Sequence, residues 1–240
     1  MTHQESNYFI QGLVSVIIPT YNRYELLNHS IRSVLANTYK NVEIIVINDC
    51  STDKRYYSSE LEKYEKTTII HLPVNMRVKH NVSSAQGMTR NHGLEIAKGE
   101  WIAFLDDDDF YIETKIEKQL ELMKMNNILF STTNMYMINH NSINMDKLDF
   151  NILSIHHENK HENKLFNLEM VTKLNHIANS SVIIHHSIVK KTGKQHIVPR
   201  EEDWDYWKRA LQHTDCLYIC EPYVYFTWTV QDRMKVRHYH

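Results

Sequence analysis

Trp101-Ile-Ala-Phe-Leu105, running straight into Asp106-Asp-Asp-Asp109, is the stretch that decides the fold. Apolar residues without polar alternation suit a strand covered on both faces, as in a parallel sheet between helical layers. The aspartates then stand at that strand's carboxyl end, where open α/β sheets bind ligands. Two like charges about 4 Å apart repel by roughly 4 kcal/mol at an effective dielectric near 20, so such a cluster wants protons, donors or a cation. Mg2+ or Mn2+ suits these hard oxygens and shares its shell with substrate phosphates. The bland alternative is a solvated acidic turn ahead of a helix. It loses weight because another apolar strand also ends in acids, Asp49 and Asp53.

The pattern extends in both directions. Leu13-Val-Ser-Val-Ile-Ile-Pro19 reads as a buried strand, and Leu27, Ile31, Val34 and Leu35 recur at helical spacing. Val42-Glu-Ile-Ile-Val-Ile-Asn48 completes a βαβ unit, whose crossover is expected to be right-handed. Asp49-Cys-Ser-Thr-Asp53 carries turn and helix-cap chemistry. A helix is expected through Tyr57–Lys66, a strand at Thr68–Leu72 and an irregular polar stretch over Val74–Gln86. The next helix is expected around Met88–Lys98, with Gly99 in the C-cap role. Ile116, Leu120 and Met123 mark one more helix face. After Asn126 the alternation weakens: Asn139–Lys164 reads as an ordered, His-rich loop, Ser180–His185 as a strand and Glu201–Leu211 as a helix.

Composition bounds the partners. The 240 residues carry a formal charge of −2, which argues against a general nucleic-acid or anionic-membrane binder. Cys50, Cys216 and Cys220 are odd in number and form no C-x-x-C pair, which reads as a reducing compartment. Met1–Gln11 lacks an apolar signal core, and no apolar run reaches the length of a membrane span, so a cytoplasmic enzyme with at most peripheral membrane contact is expected. His157 and His161, with His156 beside them, are four apart, but no Cys or acid pattern completes a zinc site, and surface histidines are the commoner explanation.

Four segments, in order, resemble glycosyltransferase family 2, whose members have the GT-A fold and use nucleotide-diphospho-sugars. They are Val14-Ser-Val-Ile-Ile-Pro-Thr-Tyr-Asn-Arg23, Glu43-Ile-Ile-Val-Ile-Asn-Asp-Cys-Ser-Thr-Asp53, Thr89-Arg-Asn-His-Gly93 running on to Gly99–Asp109, and Glu201-Glu-Asp-Trp-Asp-Tyr-Trp207. The resemblance is dense from residue 13 to 125 and thin afterwards. It implies an α/β fold of GT-A type, with a mostly parallel Rossmann-like central sheet flanked by helices and a smaller acceptor-side subregion. Residues 1–125 would form the nucleotide-sugar and metal-binding half, and 126–240 the acceptor half with the catalytic base, within one domain.

The resemblance also assigns roles. Pro19, Thr20, Tyr21 and Asn22 would line base and ribose, and Asp49 would accept a hydrogen bond from a uracil N–H. Arg90 matches a basic residue near base and phosphates. Asp106 and Asp108 match the outer positions of the D-x-D motif, with Asp107 able to stand in for Asp106. Asp108 is the expected direct ligand of Mn2+ or Mg2+, which would bridge the donor diphosphate. Asp203 matches the catalytic base, which an alcohol acceptor needs because it is a poor nucleophile until its proton is taken. Without that resemblance, Glu201, Glu202 and Asp203 would read as ordinary first-turn acids.

Trp204 and Glu202 are candidates to face the acceptor, a hydroxyl on a glycan, glycolipid or protein. Trp207, Tyr223 and Trp228 could extend an aromatic platform, with core packing the default for each. His238 could fold back onto diphosphate or metal. Asn48 and Cys50 depart from the usual Asp-Asp-Gly-Ser pattern. The Gln-x-x-Arg-Trp signature of processive synthases is absent, which points to non-processive transfer, and the family's inverting outcome is implied by resemblance alone. A sugar-phosphate nucleotidyltransferase would carry a Gly-rich basic loop where Pro19-Thr-Tyr-Asn22 stands, and a silent binding module would tolerate loss of Asp203.

Overall fold

The computed structural model describes residues 9–143, 150–156, 162–198 and 201–228. Strand β1 (Ile10–Thr20) leads into α1 (Tyr24–Leu35) and β2 (Val42–Asn48), followed by β3 (Thr67–His71) and the short helix α2 (Met76–His80). Helix α3 (Gln86–Ile96), β4 (Gly99–Phe104), β5 (Phe110–Tyr111) and α4 (Lys115–Met125) follow. The remainder comprises β6 (Phe130–Asn139), β7 (Ile152–Ile155), β8 (Lys164–Phe166), α5 (Leu168–Lys173), β9 (Ile183–His185), α6 (His186–Thr192), α7 (Glu202–Ala210) and β10 (Cys216–Trp228).

These strands form one sheet in the order β3-β2-β1-β4-β9-β6-β10-β5, with β7 added on β6 and β8 on β10. The β3-β2-β1-β4 half is parallel throughout. Short β9 runs antiparallel to both β4 and β6, and β6 pairs parallel with β10 along most of its length. The chain moves from β1 outward to β2 and β3, then returns to the other flank of β1 as β4. That reversal creates a switch point between β1 and β4, where the loops leave in opposite directions and open a crevice.

Burial explains why β1 reads as uninterrupted apolar sequence. Val14, Val16 and Ile18 pack with Leu27, Ile31 and Val34 of α1 on one face, while Ile17 joins Phe104 and Trp207 on the other. Ile116, Leu120 and Met123 of α4 belong to the first of these layers. Among the described residues, no helix is long and apolar enough to cross a membrane.

Local expectations fail where packing outweighs pattern. The helix expected over Tyr57–Lys66 is absent; a single 3-10 turn, Lys54–Tyr57, is followed by irregular turns. Of that stretch only Leu61 is buried, too little apolar contact to hold a helix. Conversely, Val74–Gln86 contains α2, because Asn75 caps it by accepting from Arg77 N at 3.0 Å and Asn81 closes it in the left-handed region. The expected loop over Asn139–Lys164 includes β7 and the start of β8. Ser180–His185 divides into a turn, Asn179–Ser181, and the three-residue β9.

Gly99 is not a C-cap. Helix α3 ends at Ala97 in extended conformation, and Gly99 opens β4 against β1. A Cβ there would lie 2.7 Å from Leu13 O and Ser15 N, backbone atoms that cannot swing away. Gly99→Ala is therefore expected to cost roughly 1–3 kcal/mol, read as a lowered Tm with secondary structure unchanged.

Candidate active site

The loops at the carboxyl ends of β1 and β2 tie each other down. Asp49 N donates to Thr20 O at 2.9 Å, and the hydroxyls of Thr20 and Tyr56 are 2.8 Å apart. Asn22, in the left-handed region at φ 53°, donates from its backbone to Ser51 Oγ and accepts from Thr52 N at 2.8 Å. Cys50, where a glycine was the usual expectation, also sits at positive φ, 60°. Asn48 shapes this loop: its Oδ1 accepts from Ser51 N and its Nδ2 meets His71 Nδ1 at 2.9 Å. Left-handed non-glycine residues recur at Glu201, so three loops around the crevice carry backbone strain of the kind that clusters at functional sites.

Asp49 is nearly buried, with Oδ1 accepting from Met76 N at 2.8 Å and Oδ2 from Asn75 Nδ2 at 2.9 Å. Burial raises its pKa, and the bond from Met76 N works against that rise. It lines a narrow pocket together with Pro19, Thr20 and Tyr21. Asn22 is not among the lining residues; it holds the loop through Ser51 and Thr52. Asn75, Arg77, Gln86 and Thr89, with Arg23 and Ala85, complete the lining. Sequence reading missed them all, although Asn75 carried a cap signal.

The four aspartates divide by environment. Asp109 is buried and fully engaged, accepting from Thr227 N at 2.8 Å and Ser180 Oγ at 2.5 Å; burial, then its acidic neighbours, raise its pKa. Asp107 lies beneath the cleft, fully buried and 2.8 Å from Arg23 Nη2. Burial lifts its pKa to about 7, and the Arg23 charge opposes the rise. Asp106 and Asp108 keep side-chain exposures of 30% and 21%. Asp106 accepts from Arg90 Nη2 at 2.5 Å, and Asp108 pairs with Arg23 Nη1. All four border a cleft of about 190 Å3 with Arg23, Gln86, Phe226 and Thr227.

Among the described residues, no three His, Cys, Asp or Glu side chains converge as an ion-holding group. The donor set therefore suits an ion held by one or two carboxylates plus phosphate and water, the habit of Mg2+ and Mn2+, and does not suit a closed protein cage. Asp106 and Asp108 meet that description.

Arg90 lies deeper than the resemblance implied. It is 2% exposed and lines neither pocket. Its Nη2 braces Asp106, its Nη1 is 4.0 Å from Glu202, and its Nε has no hydrogen-bond partner among the described residues. Glu202 is turned toward α3, accepting from Gly87 N at 2.9 Å, so its carboxylate ties α7 to α3.

Asp203 stands in the first turn of α7, its Oδ1 accepting from Trp204 N at 2.8 Å. Burial raises its pKa to about 6, against the pull of the Trp204 N–H and the Arg90 charge. Trp204 donates from its indole to Val171 O at 2.5 Å and stacks under Lys208, which fixes the ring beside Asp203. Trp207 is wholly buried against Phe104 and Phe130, and Tyr223 is buried with its hydroxyl on Glu221; both are packing residues. His156 is exposed, whereas His157, His161 and His238 lie outside the described residues.

A profile of glycosyl transferase family 2 matches residues 15–193. The Escherichia coli UDP-Glc:alpha-D-GlcNAc-diphosphoundecaprenol beta-1,3-glucosyltransferase WfaP is 33% identical over 199 residues, covering 83% of this chain and 70% of WfaP. A second E. coli enzyme of the same stated activity, WfgD, is 37% identical over 131 residues, 55% of this chain and 49% of WfgD. Among solved structures, S. aureus TarS 1-349 in complex with UDP-GlcNAc superposes with a TM-score of 0.69 at 19% identity, over 90% of this chain and 58% of that one. The chain thus spans about half of WfgD and under two thirds of TarS 1-349. The sheet, its switch-point crevice and these relatives define a glycosyltransferase of GT-A type. The chain belongs to glycosyl transferase family 2.

Proposed function

We propose that this protein transfers one sugar at a time from a UDP-sugar to a hydroxyl on a glycan or lipid-linked glycan, with inversion and with help from Mn2+ or Mg2+. The observation that carries this reading is a pair of adjoining pockets that share Pro19, Arg23 and Gln86, one lined by Asp49 and the other by Asp106 and Asp108, with the buried Asp203 within electrostatic reach of Arg90 and Asp106. Residues 1–125 hold the donor and residues 126–240 supply the acceptor pocket and the base. The acceptor class is suggested by WfaP and WfgD, whose stated substrate is a sugar on diphosphoundecaprenol. Such an acceptor would bring the chain to a membrane surface.

Asp49, already oriented by Asn75 and Met76, presents acceptor lone pairs to a uracil N–H. Asp106 and Asp108 would hold the ion, with Arg90 fixing the Asp106 carboxylate from below. When bound, that ion offsets the charge gathering on the leaving diphosphate. Asp203 takes the proton from the acceptor hydroxyl as its oxygen bonds to the anomeric carbon and the bond from that carbon to the phosphate oxygen breaks. A single in-line displacement inverts the configuration.

The test is a panel of UDP-, GDP- and dTDP-sugars with Mn2+. Slow hydrolysis releasing UDP, and no nucleotide from the other donors, is the expected result. Pyrophosphate release from a nucleoside triphosphate plus sugar phosphate would instead make the protein a nucleotidyltransferase. Tight UDP binding without turnover, with acceptors supplied, would make it a silent module.

A further inference from the structure

Arg23 has no role in that scheme, yet it borders both the narrow pocket at Asp49 and the acidic cleft. Its guanidinium contacts Asp107 through Nη2 at 2.8 Å and Asp108 through Nη1. Its main chain is pinned: Arg23 N donates to Tyr56 Oη at 2.9 Å, and the preceding Asn22 is bound to Ser51 and Thr52. The side chain itself is 40% exposed, so it can reorient while its backbone stays fixed. A diphosphate joining a nucleoside at Asp49 to an ion at Asp108 must pass the point where this guanidinium sits. Guanidinium binds carboxylate and phosphate through the same two-pronged geometry, so one partner can replace the other.

We propose that Arg23 is an internal counter-ion that holds Asp108 while the cleft is empty, yields that carboxylate to the divalent ion, and passes to the donor diphosphate. This rests on the donor reading above and adds a residue to it. Two opposite effects follow from the one side chain. Without nucleotide, Arg23 competes with the ion and weakens its binding; with nucleotide, it grips phosphate and strengthens donor binding. A residue that served only to stabilise the loop would not separate these signs.

The experiment measures Mn2+ alone, from the electron paramagnetic resonance signal of the free ion at pH 8, in wild type, Arg23→Gln and Arg23→Lys. UDP binding is then followed by calorimetry in saturating Mn2+. Arg23→Gln is expected to bind Mn2+ about tenfold more tightly than wild type and UDP about tenfold more weakly, each change about 1.4 kcal/mol. Arg23→Lys keeps the charge and loses the two-pronged fork, so its Mn2+ affinity is expected near wild type, with UDP binding intermediate. Unchanged or weaker Mn2+ binding in Arg23→Gln overturns the proposal, as does unchanged UDP binding or a lysine variant that matches glutamine. A wild-type protein that binds Mn2+ but no UDP would sink the donor reading, and the Mn2+ comparison alone would then decide the counter-ion role.

Discussion

Asp203→Asn is expected to lower the rate of sugar transfer by about 10²–10⁴-fold, the range a general base supplies, while leaving UDP affinity unchanged. Asparagine matches the carboxylate in shape, and its carbonyl oxygen can still accept from Trp204 N, so α7 keeps its first turn. What it cannot do is take a proton. The pH profile supplies an independent check. A base works deprotonated, and burial raises Asp203 to about 6. Wild-type kcat/KM should therefore fall tenfold per unit below about pH 6 and level off above it. The asparagine variant should lose that acid limb. Normal transfer by Asp203→Asn would remove Asp203 from the mechanism.

The second large effect is expected at Asp108. Replacing it with alanine removes one of the two accessible carboxylates, and metal-dependent UDP binding should weaken by at least roughly 100-fold, since even outer partners of metal ligands are worth 10–100-fold. Chelating the ion from wild type with EDTA should reproduce the loss. Its buried neighbour is the control: Asp109 holds Thr227 N and Ser180 Oγ, so Asp109→Ala should lower Tm rather than selectively remove metal dependence. Calorimetry with and without Mn2+ separates the two. If Asp108→Ala binds UDP as wild type does in Mn2+, the ion is held elsewhere.

Much of the β3-β2-β1-β4 half was legible because short, buried parallel strands leave an unambiguous pattern. Val42–Asn48 is the observed β2 without change, and α1 follows the spacing of Leu27, Ile31 and Val34. The acids were legible as a group but not individually, because sequence does not say which of four consecutive aspartates faces solvent. That depends on β10, whose Thr227 reaches back across more than a hundred residues to seal Asp109 inward. Arg90 was assigned to the ligand and instead lies under Asp106, a depth that only α3 packing against the sheet determines. Arg77 and Gln86 went unseen because they line the pocket from a segment that reads as featureless polar loop. Glu202, a candidate in the sequence to face the acceptor, accepts instead from Gly87 N and stands between α7 and α3.

The three residues of β9 have a mechanical consequence. By pairing with β4 on one side and β6 on the other, they weld the β3-β2-β1-β4 half and the β6-β10-β5 half into a continuous floor. Opposing jaws that hinge shut on reactants would have to break those strand pairs. Enclosure falls to the rim, to the side chains and turns that stand above the strand tips. Changes in what this enzyme glycosylates can thus accumulate on the rim while the floor beneath keeps its hydrogen bonds.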